Sequence, residues 1–248
     1  MDSSFETQLA RTRRAAWLPH VAAAVLLLSC FAYGATVYGS LPESVPVHWG
    51  LDGPDAWEEK SVGTVFLPLL VASGTTVLLA FISAVAPAMT PADPNATPWE
   101  AFRREGMIHG TVSAMGIVSL LLAGCVGYLS IQGWQDPAQV AVWPALLLSG
   151  AVLIAIGGTY AAASRRARRE AARHGIFPSD QEQAEDAKWI AGILRNDPDD
   201  PHVLVPKRKG SGTGLTVNVG NARGRAAVVA FLVFVVLLPA GLGLYAAL

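Results

Sequence analysis

Long apolar runs separated by short polar connections dominate this chain. The runs are Ala15–Gly39, Val62–Ala86, Met107–Ile131, Val140–Ala163 and Ala226–Leu248, and none contains an aspartate, glutamate, lysine or arginine. At 1.5 Å per residue each is long enough to cross a hydrocarbon core of roughly 30 Å. A helix buried in a soluble core rarely reaches this length without a polar face. The pattern predicts an all-α integral membrane protein of five transmembrane helices. Trp17, Tyr38, Trp134, Trp143 and Tyr245 fall near the ends of the runs, where amphipathic rings favour the headgroup zone. No internal repeat accompanies the spans. LLSC at Leu27–Cys30 loosely resembles a lipoprotein cleavage box, but the apolar run continues past it, so the first span is expected to be retained.

The placement of basic residues orients the spans. Seventeen of the 18 lysines and arginines fall in the amino-terminal tail, the second connection and the fourth connection, and Lys60 alone lies in the first. The positive-inside rule then places the amino terminus in the cytoplasm and the carboxyl terminus outside. The expected order is a cytoplasmic tail 1–14, span 15–39, an exterior loop module 40–61, span 62–86 and a cytoplasmic loop 87–106. Span 107–131, an exterior link 132–139, span 140–163, a cytoplasmic basic module 164–224 and span 226–248 complete it. Abundant alanine and arginine point to a bacterial source, and hence to the plasma (inner) membrane.

Composition agrees with this reading: 52% of residues are hydrophobic, 15% are charged and the mean hydropathy is +0.40. Cys30 and Cys125 both fall inside spans, which gives neither a disulfide framework nor zinc-ligand spacing. Gly106, Gly110 and Ala114 recur every four residues and would let another helix approach closely. His20 and His109 lie near span ends with no acidic residue in any span, so packing is expected of them and no proton relay.

Two connections carry more than charge. The basic module opens with RRARREAAR, expected to prolong the fourth helix into the cytoplasm, with Arg165, Arg166, Arg168 and Arg169 meeting anionic lipid. Ser179–Glu182 reads as a capping box that starts a further helix, with Trp189, Ile190, Ile193 and Leu194 as its apolar stripe. VLVPKR and LTVNVG flank the glycine-rich KGSGTG, which predicts a β-hairpin with Pro206 on an edge strand. Lys207, Arg208 and Lys209 are expected to bind lipid headgroups in preference to nucleic acid. Asp197, Asp199 and Asp200, set among prolines, read as Asx turns. KGSGTG lacks the spacing of a phosphate loop. So small a module is expected to lean on the membrane or a partner.

Leu41–Trp57, LPESVPVHWGLDGPDAW, is the most residue-specific stretch. Its prolines fix φ and its Asp-Gly-Pro is turn chemistry, so a shaped loop is expected and no helix. Pro46, His48, Trp49, Asp52, Gly53, Asp55 and Trp57 are the candidate loop-shaping or ligand residues. His48 with Asp52, Asp55, Glu58 and Glu59 offers imidazole and carboxylates to a metal or a cationic peptide. No second histidine stands in the loop and there is no HExxH, so bracing of the turn is the expected role, without a metal or other cofactor.

This loop, following a first span, resembles the hallmark of a bacterial membrane family whose module also opens SdpI-type immunity proteins. Leu41, Pro42, Pro46, His48, Trp49, Gly53, Asp55 and Trp57 carry the resemblance, with Pro54 shifted against the usual order. Lys188–Gly220 is similar to a short carboxy-terminal domain of unknown function found on bacterial membrane proteins. The second half typical of immunity proteins is absent. The resemblance implies a non-enzymatic protein that senses or resists an extracellular peptide or envelope stress, with a membrane or cytoplasmic protein partner. A structural or accessory subunit of a membrane complex is the alternative. An ion-coupled transporter or membrane enzyme is disfavoured by the uncharged spans and the lack of a catalytic constellation.

Overall fold

A computed structural model describes residues 14–50, 53–141, 143–237 and 241. The protein is mainly helical, with α1 at Leu18–Val37, α2 at Val62–Met89, α3 at Pro98–Gln135 and α4 at Trp143–Arg173. Among the described residues, four helices are long and apolar enough to cross a membrane. The fifth expected span is described only in part: α6, Ala222–Leu232, runs into a π-helical turn at Val233–Leu237. The remainder of that span, save residue 241, lies outside the described residues, as does nearly all of the expected tail 1–14.

Two helices outrun the spans read from sequence. α3 has 38 residues, so it is roughly 57 Å long and far exceeds a hydrocarbon core. Residues 98–106, expected as loop, form its first turns, with Pro98 in the position where a missing donor costs nothing. α4 runs on through RRARREAAR to Arg173, as the sequence predicts. It begins at Trp143, after a 3-10 turn at Pro137–Gln139.

The chain divides into two compact units: Met1–Trp17, Phe81–Met115 and Ile154–Val233 form one, and Leu18–Ala80, Gly116–Leu153 and Phe234–Leu248 the other. The second unit has a core built by helical spacing. Ala23, Leu27 and Cys30 of α1 meet Val65, Phe66, Leu69 and Ala72 of α2, with Ala123 of α3. The Phe66 ring lies 5.7 Å from Phe31, 6.2 Å from Tyr38 and 5.8 Å from Trp134, the last edge-on. Gly34 makes this cluster possible, because a Cβ there would stand 2.6 Å from both Phe66 and Trp134.

In the first unit, Gly106 and Gly110 let α4 close on α3, against Ala167 and Tyr160. That is the close approach expected of the small-residue repeat. The Thr111 and Tyr160 hydroxyls share a hydrogen bond of 2.8 Å across the same seam. A second cluster buries Trp99, Phe102 and Ala171.

The basic module folds largely as its turn chemistry predicts, with one correction. α5, Asp180–Ala187, starts on the expected capping box: Glu182 N donates to Ser179 Oγ, and Ser179 N donates to the Glu182 carboxylate. It stops after eight residues, however, and the expected stripe is not helical. Trp189–Ile190 (β3) pairs antiparallel with Leu194–Arg195 (β4). The turn between them holds Ala191 at φ 51° and Gly192 at φ 76°, a left-handed pair suited to a tight hairpin and not to a helix. The Trp189 indole donates to Glu185, and the Arg195 guanidinium lies 5.3 Å from its ring. The glycine-rich hairpin is present, with Leu204–Pro206 (β5) against Leu215–Val217 (β6) and Pro206 in a strand that has a free edge.

Candidate functional site

The expected shaped loop is a β-hairpin, Ser44–Gly50 (β1) against Gly53–Glu59 (β2). This adds β-structure to a chain read as all-α outside its basic module. Val45, Val47, Trp49 and Trp57 favour a strand, and a two-stranded ribbon leaves each proline a free edge. The ladder slips twice, once on each side of His48, so Val47 and Asp55 each sit as an extra residue on their strand. His48 Nδ1 and the Asp55 carboxylate bond across the ribbon at 2.5 Å, and both side chains are exposed. Asp52 lies outside the described residues. Among the described residues no three His, Cys, Asp or Glu side chains gather as a metal site would require.

The base of the ribbon is pinned to the helices. Leu41 and Val45 enter the core of the second unit. Lys60 donates its ammonium to Leu41 O at 2.7 Å and its amide to Glu43 O at 2.7 Å, and the ammonium stands over the Tyr38 ring. Trp49 donates to Pro137 O at 3.1 Å and lays its ring on Gly133. Trp57, expected as a matching anchor, is 49% exposed and does not brace the ribbon in this way.

Beside the ribbon opens a cavity of about 980 Å³. Leu41, Val45, Val65, Leu67, Pro68, Val126, Leu129 and Leu146 give it apolar walls, with Trp49 and Trp134 among them. His48, Glu58, Ser130 and Gln135 supply polar groups. A volume of this size suits an elongated apolar or amphiphilic ligand, and the few polar groups suit orientation of a head.

The basic residues fall into two sets. Arg165, Arg166 and Arg169 are exposed on α4, and Lys207 and Lys209 are exposed beside the glycine turn. Arg208, expected to face lipid, is instead buried and ion-paired with Asp186. Arg103 and Arg168 approach the same carboxylate at 3.7 and 4.0 Å, and Trp99 donates to it at 3.2 Å. One aspartate of α5 thus collects groups from α3, α4 and the glycine-rich hairpin. The signal for Asp186 was absent from the sequence, where it is one acidic residue among several.

Nearby carboxylates are held in their charged form. Burial pushes Glu185 up, but the bonds from Trp189 and Arg195 outweigh it and bring the group below its ordinary value. Glu182 is lowered in the same way, with bonds from Thr97 and Ser179 exceeding the effect of burial. Asp197 is lowered by Lys188 and Arg195, and Asp200 by the His202 amide and ring. Asp197 accepts from the Asp199 amide and Asp200 from that of His202, which are Asx turns at two of the three aspartates where they were expected.

Residues 25–72 match the model of a domain of unknown function, DUF1648. The DUF1648 match takes in most of α1, the whole ribbon and the first turns of α2, so it includes the cavity-lining residues that the ribbon and α2 supply. No curated protein and no solved structure matches the chain.

Proposed function

We propose that this chain is a non-enzymatic bacterial inner-membrane protein whose ribbon and cavity take up a cationic amphipathic peptide from outside the cell, either to sense it or to resist it. The cavity of about 980 Å³, apolar in its walls with His48 and Glu58 among its lining, is the observation that carries this reading. Residues 40–61 hold Glu43, Asp52, Asp55, Glu58 and Glu59 against Lys60, whose ammonium is already engaged by Leu41 and Tyr38. Apolar walls would accept the apolar face of a peptide, and surplus carboxylates would draw in its cationic face. The resemblance of the ribbon to the opening module of SdpI-type immunity proteins supports the same role. It is an argument by likeness. The reading includes five spans, a cytoplasmic amino terminus, and contact of Arg165, Arg166, Arg169, Lys207 and Lys209 with anionic headgroups.

The test uses the full-length protein in nanodiscs of zwitterionic lipid. A labelled lysine–leucine amphipathic peptide is titrated against its glutamate–leucine counterpart, with empty discs as the baseline. The lysine peptide is expected to bind above baseline, and Glu58→Gln to weaken it. Equal binding of both peptides, or binding no better than to empty discs, would sink the proposal. Co-purification of a stable membrane partner together with that failure would favour the accessory-subunit reading.

A further inference from the structure

A groove of about 400 Å³ in the first unit gathers five cationic side chains from three places in the chain. Arg103 comes from the start of α3, Arg195 from β4, and Lys207, Arg208 and Lys209 from the approach to the glycine turn. Trp189 forms part of its wall. Glu100, Glu182 and Glu185 also line it, yet their oxygens serve the fold. Glu100 accepts from Thr97 N, Glu182 from Ser179 and Thr97, and Glu185 from Trp189 and Arg195.

Asp186 and Asp197 engage Arg103, Arg208 and Arg195 as well, and the donors left over are few and specific. The Nε atoms of Arg103 and Arg195 are buried without a hydrogen-bond partner. Lys207 and Lys209 have no carboxylate within ion-pair distance among the described residues. The backbone holds them in place: Arg103 donates to Lys209 O at 3.1 Å, and Lys207 N donates to Gly214 O at 2.9 Å. Gly210, Gly212 and Gly214 all take positive φ, which glycine adopts without a Cβ penalty and which turns the chain back after the lysines.

We infer that this groove is a binding site for a phosphate ester, with Lys207 and Lys209 as the contacting cations above Arg103, Arg195 and Arg208, whose charges are shared with Asp186, Glu185 and Asp197. A phosphate brings several acceptor oxygens and at least one negative charge, and guanidinium and ammonium groups complement both. Two sources share this chemistry, a lipid headgroup and a soluble phosphate compound. The inference sharpens the headgroup contact proposed above and does not depend on the peptide reading.

Native mass spectrometry of the detergent-purified full-length protein separates the sources, with phosphatidylglycerol as one probe and inorganic pyrophosphate as the other. A single retained adduct is expected, and a Lys207→Gln, Lys209→Gln variant should weaken it by about fivefold per lysine. The charge-preserving Lys207→Arg, Lys209→Arg variant should keep it. An adduct with phosphatidylglycerol alone assigns the site to a headgroup, and one with pyrophosphate assigns it to a soluble phosphate. No adduct with either probe would overturn the inference, as would an adduct indifferent to the glutamine pair. An Arg165→Gln, Arg166→Gln, Arg169→Gln variant should leave this adduct in place. If it abolishes the adduct, headgroup contact along α4 stands and the groove does not.

Discussion

Trp49 and Trp57 lie on opposite strands of one ribbon, and their surroundings assign them unequal roles. Trp49 spends its indole N–H on Pro137 O and its ring on Gly133, whereas Trp57 is half exposed. Trp49→Ala is therefore expected to lower stability by about 2 kcal/mol, from lost packing and a carbonyl left without its donor. Trp57→Ala should change it by less than about 0.5 kcal/mol. Thermal unfolding of the full-length variants in detergent checks both, and equal losses would refute the asymmetry. The sequence marked both tryptophans alike because a single strand does not reveal which face meets a helix. Asn218 escaped it altogether. Fully buried, Asn218 accepts from the amides of Asp197 and Gly220 and donates to the carbonyls of Asp197 and Asp200. Nothing in LTVNVG separates such a hub from an ordinary strand residue. The aspartates of NDPDDP were legible, because an Asx turn needs only neighbours in the chain.

At the scale of elements, the basic module is held by carboxylates that must stay ionised. Glu182, Glu185, Asp197 and Asp200 all lie below their ordinary values. A lowered folded-state value contributes stability that is present above the unfolded value and is lost as pH falls through the folded one. The module is therefore expected to keep its amide protection from pH 8 to 5 and to lose it below about pH 4, where free carboxyls titrate. Hydrogen exchange over Asp180–Val217 in the full-length protein measures this, and protection unchanged at pH 3 would refute it. The α5 capping box and the glycine-rich hairpin were legible because each is a local signature. The β3–β4 hairpin was not: WIAGIL has the apolar spacing of a helix, and only the left-handed Ala191–Gly192 pair turns it back.

For the whole molecule, four helices follow from length and apolarity alone, and those signals survive any packing. The start of α3 was less legible, since Pro98–Gly106 is polar helix that apolar run length does not detect, whereas the extension of α4 to Arg173 was expected. Sidedness is a matter for chemistry in cells. In a Cys30→Ala, Cys125→Ala background, Gln135→Cys is expected to react with a membrane-impermeant thiol reagent in intact cells. Gln183→Cys should react only after the membrane is opened. The reverse pattern would invert the proposed topology and remove the ribbon from contact with any extracellular peptide.

The two slips in the β1–β2 ladder restrict how a visitor can be held. Pro46 and Pro54 each remove a donor from the ribbon, and the extra residues at Val47 and Asp55 break the even spacing of those that remain. An incoming extended chain would find no regular edge to zip onto, so recruitment by strand addition is discouraged, and self-association of ribbons with it. A visitor is left to be read through side chains and the apolar hollow, which favours a guest already coiled into a helix over one that arrives extended.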